Sequence, residues 1–169
     1  MDKQPTLYIM CGLAFSGKST LARKIAEHMG AKIIAFDKVW VEKGKDQPIS
    51  KDAAGWKFIR GVAQDEITKA LNEGNSVVYD DNNVRFEHRE ELREIAKKYG
   101  VKDVVVYLNT PMELIRERES VNKSTGERHD VDPMNFQKVV DQLEPPKPEE
   151  NCFEFKPNTD LNDFLNKLN

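Results

Sequence analysis

The 169-residue chain sets 26 Lys and Arg against 29 Asp and Glu, a formal net charge of −3 in a sequence that is 33% charged. That near balance argues against a nonspecific nucleic-acid binder, which carries a clear basic excess, although it leaves room for a local basic groove. No apolar run reaches the ~18 residues of a membrane span and Met1–Pro5 lacks a signal-peptide core, so the expectation is a cytoplasmic protein without membrane attachment. Its length suits a single domain over residues 1–169, large enough to bury a core without staples.

In chain order, Thr6–Cys11 is an apolar run with the character of a strand. Directly after it, Gly12-Leu13-Ala14-Phe15-Ser16-Gly17-Lys18-Ser19 fits the phosphate-binding P-loop pattern G-x-x-x-x-G-K-[ST]. Glycines there let backbone N–H groups turn toward phosphate oxygens where a Cβ would obstruct them. Lys18 is placed to reach the β- and γ-phosphates, and the Ser19 hydroxyl to ligate Mg²⁺. Thr20 continues into a helix, Lys18–Met29, whose apolar face is Leu21, Ala22, Ile25, Ala26 and Met29; its positive end points at the anion. Gly30 closes it.

Lys32–Phe36 is a short second strand running into Asp37. A mixed segment follows to Ala54, with Gly44 and Pro48 read as loop. Trp56–Asn72 has helical spacing, and Ser76–Tyr79 is a third strand ending in Asp80-Asp81-Asn82-Asn83. Phe86–Tyr99 is an amphipathic helix, Asp103–Leu108 a strand buried on both faces, and Pro111–Glu119 a further helix. Ser120–Asp132 is polar and basic and reads as a mobile loop. Pro133–Leu143 is helical, Glu144–Pro148 a stiff connector, Cys152–Phe155 a fifth strand, and Leu161, Phe164, Leu165 and Leu168 face one side of a last helix. Cys11 and Cys152 lie in apolar runs and read as buried small hydrophobes rather than a redox pair. The alternation of strand and helix predicts an α/β fold with a parallel sheet covered on both faces.

A P-loop alone does not separate a GTPase switch, a motor ATPase and a small kinase. In a parallel sheet, ligands collect beyond the carboxyl ends of the strands, which puts Asp37 in the same cleft as Lys18. A carboxylate there accepts the proton of an attacking hydroxyl; it also suits the N-terminus of a following helix. Asp80 and Asp81 end the third strand at the same cleft, and Asp81 is the expected contact to a Mg²⁺-bound water. Arg116, Arg118 and Arg128 flank the polar loop, where arginines can clamp phosphate oxygens and exclude water. The guanine-reading pattern N-K-x-D is missing, since Asn122-Lys123-Ser124-Thr125 lacks its Asp.

These residues resemble, in order, the small P-loop kinases related to phage-type polynucleotide 5′-kinases, zeta-toxin-like sugar-nucleotide kinases and chloramphenicol phosphotransferases. The resemblance runs from Leu7 to Phe155 through the P-loop Gly12–Thr20, the strand-end Asp37, and Val77–Asn83 with Arg89 six residues beyond Asn83. It continues through Pro111–Ile115 with the lid arginine Arg118, then Leu143-Glu144-Pro145-Pro146 with Glu150. It implies a three-layer P-loop NTPase fold with five parallel strands in the order 2-3-1-4-5 and a mobile lid. It further implies ATP as co-substrate, Mg²⁺ as cofactor, Asp37 as the catalytic carboxylate with Lys18 and Arg118, and a hydroxyl acceptor contacted by Asp37, Trp40, Asp81, Asn83 and Arg89. ATP would be held by Gly12, Ala14, Phe15, Ser16, Gly17, Lys18, Ser19, Thr20, Arg118 and Arg128, the metal by Ser19 and Asp81, with Pro157-Asn158 passing near the adenine.

Two positions depart from the pattern. Where polynucleotide kinases hold an acceptor phosphate with an arginine, this chain has Trp40, suited to stacking on a base or aglycone. Where a second lid arginine is due stands Asn122, with Lys123 and Arg128 as candidate substitutes. Trp40 and the Trp56–Arg60 segment then shape an acceptor site for a small alcohol, nucleoside or sugar nucleotide, with a nucleic-acid end disfavoured. The alternative is a slow or non-catalytic NTP-dependent module whose lid reports nucleotide occupancy to a partner protein.

Overall fold

A computed structural model describes residues 4–169. Its strands are β1 (Thr6–Cys11), β2 (Lys32–Ala35), β3 (Val77–Asp80), β4 (Lys102–Leu108) and β5 (Cys152–Phe155). They form one parallel sheet in the order β2-β3-β1-β4-β5, as the resemblance implies. Between them run helices α1 (Lys18–Met29), α2 (Phe36–Asp46), α3 (Ala53–Asn72), α4 (Phe86–Lys98), α5 (Met112–Thr125), α6 (Pro133–Asp141) and α7 (Leu161–Lys167), with a 3₁₀ turn at Pro148–Glu150.

The centre of the sheet is β1, whose every residue is buried. Because successive side chains point to opposite faces, Leu7, Ile9 and Cys11 pack against Ile59, Ala63 and Ile67 of α3 and Leu92 and Ala96 of α4. Tyr8 and Met10 meet Leu21 and Ile25 of α1 with Phe164 and Leu165 of α7. Each such aliphatic side chain contributes roughly 1.5–3 kcal/mol when fully buried, so the strand that carries the P-loop is also the most firmly seated. A smaller cluster of Leu13, Phe15, Val84, Ile115 and Phe136 joins the P-loop to α5 and α6.

Two elements run beyond their sequence-based limits. The segment read as loop around Gly44 is helical from Phe36 to Asp46: Val39 is buried, Phe36 and Trp40 pack on the core, and Asp37 and Lys43/Lys45 match the helix dipole at its two ends. Gly44 is exposed with open space around it, so the helix carries it at only a modest propensity cost. Likewise α5 continues past Glu119 to Thr125, tied by a Glu119–Lys123 pair and closed by Gly126 at φ 66°. The first part of the supposed mobile loop is therefore ordered helix.

Beneath the sheet's carboxyl edge lies a buried ion pair. Arg89 Nε and Nη2 donate to the two Glu150 carboxylate oxygens at 2.6 and 3.1 Å, and both side chains are fully buried. Arg89 Nη1 donates to the carbonyls of Asn83 (2.9 Å) and Val84 (3.0 Å), and Glu150 also accepts from the Lys147 N–H. Burial alone would push the Glu150 carboxyl up, but the Arg89 hydrogen bond, the Lys147 N–H and the nearby guanidinium charges together hold it below its ordinary 4.5.

Arg89→Met leaves Glu150 buried and unpaired, and the expected loss is about 3–5 kcal/mol in urea unfolding at pH 7. Because the folded pKa of Glu150 is depressed, the wild-type contribution is complete above the unfolded value and disappears as pH falls through the folded one. The stability gap between wild type and Arg89→Met should accordingly narrow below about pH 4. A second stability prediction concerns Gly55, whose N–H is capped by Asp52 at 3.0 Å and whose missing Cβ would land on the Ser50 carbonyl. Gly55→Ala should cost about 2–3 kcal/mol in the same assay, because backbone rather than a flexible side chain has to yield.

Candidate active site

The P-loop leaves β1 at Gly12, whose N–H donates to the Asn82 carbonyl at 3.0 Å. A Cβ on Gly12 would lie 3.1 Å from Ser16 Oγ and 3.3 Å from Leu108, and Gly17 at φ 101° opens α1. No side chain caps the first turn of α1 and no acidic residue lies in it, so its N–H groups remain for an anion. Lys18 is buried and folds across the loop, donating to the Leu13 carbonyl at 2.8 Å. Burial lowers its pKa, while the charges of Asp80 and then Asp81 act the other way.

Ser16 Oγ is, among the described residues, the one buried side-chain polar atom without a partner. An unpaired buried hydroxyl costs about 1–3 kcal/mol, and a phosphate oxygen inside the loop would satisfy it. Together with the glycine cradle and the buried ammonium, it fits a polyphosphate. Ser19 lies beside Lys18 in the same helical turn, and Thr20 follows at the exposed rim. Ala14 and Phe15 pack into the cluster below, Phe15 in the left-handed region at φ 60°.

Two flanking elements hold the outside of the loop. Thr110 Oγ1 donates to the Ser16 carbonyl (2.9 Å) and Arg118 Nη1 to the Phe15 carbonyl (3.1 Å). Arg128 stacks its guanidinium over the Phe15 ring, 5.2 Å from the centroid, and its charge is felt at Lys18. Asn122 explains that placement: its Oδ1 accepts the Arg128 N–H at 2.8 Å, and its Nδ2 donates to the Arg128 carbonyl and to Asp130. Of the two candidate substitutes, Lys123 faces solvent beside Glu119, whereas Arg128 is held over the P-loop.

A cavity of about 580 Å³ opens beside the loop, lined by Phe15, Thr20, Arg118, Arg128, Phe155 and Pro157 among others. Its size and mixed lining suit a nucleoside. Neither Asp37 nor Trp40 lines it, so these two lie on another side of the P-loop.

Asp37 is not at a strand end but in the exposed first turn of α2, since β2 stops at Ala35. It still converges on the cleft, because its charge acts on Asp81. Asp81 is half-buried; burial raises its pKa, against the Asn82 N–H, Lys18 and Tyr79 O–H, which lower it. Its two oxygens accept from the Asn82 N–H (2.7 Å) and the Tyr79 hydroxyl (3.2 Å). Asp80, the less favoured of the two expected metal contacts, has the larger influence on Lys18, and its side chain makes no hydrogen bond among the described residues. Those residues contain no cluster of three or more His, Cys, Asp or Glu suited to a metal.

Two expected acceptor contacts need correction, and a third is narrowed. Asn83 is buried and donates to the Met10 carbonyl at 2.8 Å. Arg89 spends its donors on Glu150 and the 83–84 carbonyls, with no exposed surface. Both are scaffold beneath the cleft, out of an acceptor's reach. Trp40 is half-buried and packs 6.0 Å from the Phe36 ring, so only one part of it can meet a substrate. Sequence reasoning missed Tyr79, Thr110 and the role of Asn122; a polar residue in a register otherwise filled by lid arginines was the one available signal.

The AAA domain family profile matches residues 7–146. The chain belongs to that family. Among curated proteins, this AAA domain is 33% identical over 113 residues to an L-seryl-tRNA(Sec) kinase of Methanococcus maripaludis, covering 66% of this chain and 44% of the relative. It is 26% identical over 145 residues to a KTI12 homologue of Oryza sativa, covering 83% of this chain and 48% of the relative. The chain thus spans about half the length of these relatives. Among solved structures, Kti12 of Chaetomium thermophilum bound to ADP-AlF3 superposes with a TM-score of 0.78 at 21% identity, over 96% of both chains. The APS kinase of Mycobacterium tuberculosis with AMPPNP and APS superposes with a TM-score of 0.73 at 16% identity, over 98% and 95%. These two likenesses establish the fold of the AAA domain.

The Asn122 clamp yields a local prediction. Asn122→Ala removes its three side-chain hydrogen bonds to the 128–130 segment. Limited trypsin digestion should then cut after Arg128 at least several-fold faster than in wild type, with ATP protecting less well. An unchanged cleavage rate would show that the segment is held by other contacts.

Proposed function

We propose that this domain is an ATP- and Mg²⁺-dependent phosphotransferase that moves the γ-phosphate to a hydroxyl acceptor. The observation that carries this reading is convergence: Lys18, Asp37, Asp80 and Asp81 lie at or just beyond the carboxyl ends of β1, β2 and β3, where Lys18 feels the charges of Asp80 and Asp81, and Asp81 those of Lys18 and Asp37. Relatives named as kinases support it. Asp37 takes the proton of the acceptor hydroxyl, the acceptor oxygen bonds to the γ-phosphorus, and the bond from that phosphorus to the bridging oxygen breaks to release ADP. Lys18 and the P-loop hold the charge spread over the phosphoryl oxygens, and Arg118 and Arg128 close the loop's outer side against water. Ser19 with Asp80 or Asp81 would hold Mg²⁺, which when bound neutralises charge on the β- and γ-oxygens.

The acceptor belongs on the Asp37 and Trp40 side, away from the nucleoside cavity. A small alcohol, nucleoside or sugar nucleotide suits that setting better than a nucleic-acid end, given the net charge of −3 and Trp40 in place of an arginine. The M. maripaludis relative, named for a seryl-tRNA, keeps an RNA-borne hydroxyl among the acceptors to test. A cytoplasmic setting accords with this reading: both cysteines are unpaired thiols, and no helix among the described residues is long and apolar enough to cross a membrane.

A second reading rests on Asn122 and on the KTI12 likeness: a slow ATPase whose lid signals occupancy to a partner. ATP consumption with Mg²⁺ across nucleosides, sugar nucleotides, small alcohols and 5′-hydroxyl oligonucleotides separates the two. A kinase gives acceptor-stimulated turnover and a phosphorylated product; the module gives slow hydrolysis indifferent to every acceptor. Asp37→Asn should lower transfer by about 10²–10⁴-fold while ATP affinity holds, and unchanged turnover would remove Asp37 from its role.

A further inference from the structure

Arg60 of α3 is half-buried and makes no hydrogen bond or ion pair among the described residues. Partial burial costs a guanidinium some of its hydration, which a bound anion would return. One turn further along α3, Gln64 reaches across to Glu91 of α4 at 3.1 Å. On α4, His88 stands one turn before Glu91, so the register of the two helices sets Arg60 and His88 facing each other one turn nearer the cleft. Arg85 caps the start of α4 beside them.

Three neighbouring carboxylates, Glu87, Glu91 and Asp81, are already engaged. Glu87 pairs with Arg85 at 2.7 Å and lies 3.7 Å from His88, Glu91 takes Gln64, and Asp81 takes the Tyr79 hydroxyl and the Asn82 N–H. The field agrees with the geometry: burial first, then Arg60 and Arg85, push His88 below its ordinary value against the opposing charges of Glu91 and Glu87, and Arg60 acts on Tyr79 as well. None of Arg60, Arg85 and His88 lines the nucleoside cavity, so the patch is separate from the ATP site.

We propose that Arg60, with Arg85 and His88 beside it, forms an anion subsite for a phosphate group carried by the acceptor, which makes the acceptor a phosphorylated alcohol. The proposal rests on the phosphotransferase reading. Arg60 offers an unengaged guanidinium fork and His88 an imidazole, while Arg85, which also holds Glu87 at 2.7 Å, adds a second cation, a set suited to a phosphate with three terminal oxygens. The subsite also supplies from α3 the cation that Trp40 leaves out of α2.

The test uses inorganic phosphate as probe, titrated by NMR into protein saturated with AMPPNP·Mg²⁺ so that the P-loop is blocked. Saturable shifts of the Arg60 and His88 side chains are expected, with at least tenfold weaker phosphate binding in Arg60→Gln. The melting temperature of Arg60→Gln should hold or rise, since the side chain supports no contact of the fold. Arg60→Lys, which keeps the charge but not the fork, should fall between the two and serves if Arg60→Gln does not fold. Phosphate binding that is missing, or equal in wild type and Arg60→Gln, overturns the subsite. So does a melting temperature several degrees lower with phosphate binding retained. In turnover, glycerol 3-phosphate or a nucleoside monophosphate should stimulate ATP consumption more than glycerol or the parent nucleoside, with Arg60→Gln raising KM more than it lowers kcat. A protein that binds phosphate through Arg60 yet phosphorylates nothing would overturn the kinase reading and leave the anion subsite standing.

Discussion

The Arg89–Glu150 pair holds more than its own two residues. Its guanidinium grips the carbonyls of Asn83 and Val84; the Asn83 amide grips the Met10 carbonyl; and the Asn82 carbonyl takes the Gly12 N–H. Through those links a charge pair at the start of α4 fixes the end of β1, the turn after β3 and the first residue of the P-loop relative to one another. Such a pair adds little net stability compared with well-packed apolar side chains, but it tolerates no half measure, since either charge left alone in the interior is costly. Its contribution is geometric: it fixes where a flexible glycine loop begins.

That arrangement clarifies how far the sequence could be read. β1, the P-loop and the doubly buried β4 were legible because their signals are local, a short apolar run beside a glycine pattern or a run of valines. The sheet order came with the family resemblance rather than from periodicity. Gly44 misled because propensity is a weak prior; α2 persists through it on the strength of Val39, Phe36 and Trp40 packing inward. Asn83 and Arg89 misled differently. Their spacing was visible, but whether a polar side chain faces a ligand or a neighbouring carbonyl depends on partners 73 and 61 residues away in the chain. Asp80 and Asp81 are adjacent in sequence, and only the Tyr79 hydroxyl and the Asn82 N–H tell them apart.

The lid shows a trade of chemistry for position. A side chain at position 122 that cannot carry charge instead binds both the N–H and the carbonyl of Arg128, so a cation absent from α5 is delivered by the segment that follows it. The cost is a buried amide, satisfied by three hydrogen bonds. The gain is a guanidinium whose backbone is fixed from two sides, stacked on a Phe15 ring that is itself part of a packed cluster.

Cys11, the last residue of β1, sits directly before the P-loop, a position where an exposed thiol would make phosphate binding sensitive to oxidation. The same packing that seats the strand removes that sensitivity. The side chain is fully buried and its pKa is pushed up to about 12, by burial above all and in spite of the Arg89 charge. At neutral pH the group is then the protonated thiol, which is not the nucleophile. Peroxide or a disulfide reagent would have to open the centre of the sheet before reaching it, so the nucleotide site should keep its function under oxidative conditions for as long as the fold itself survives.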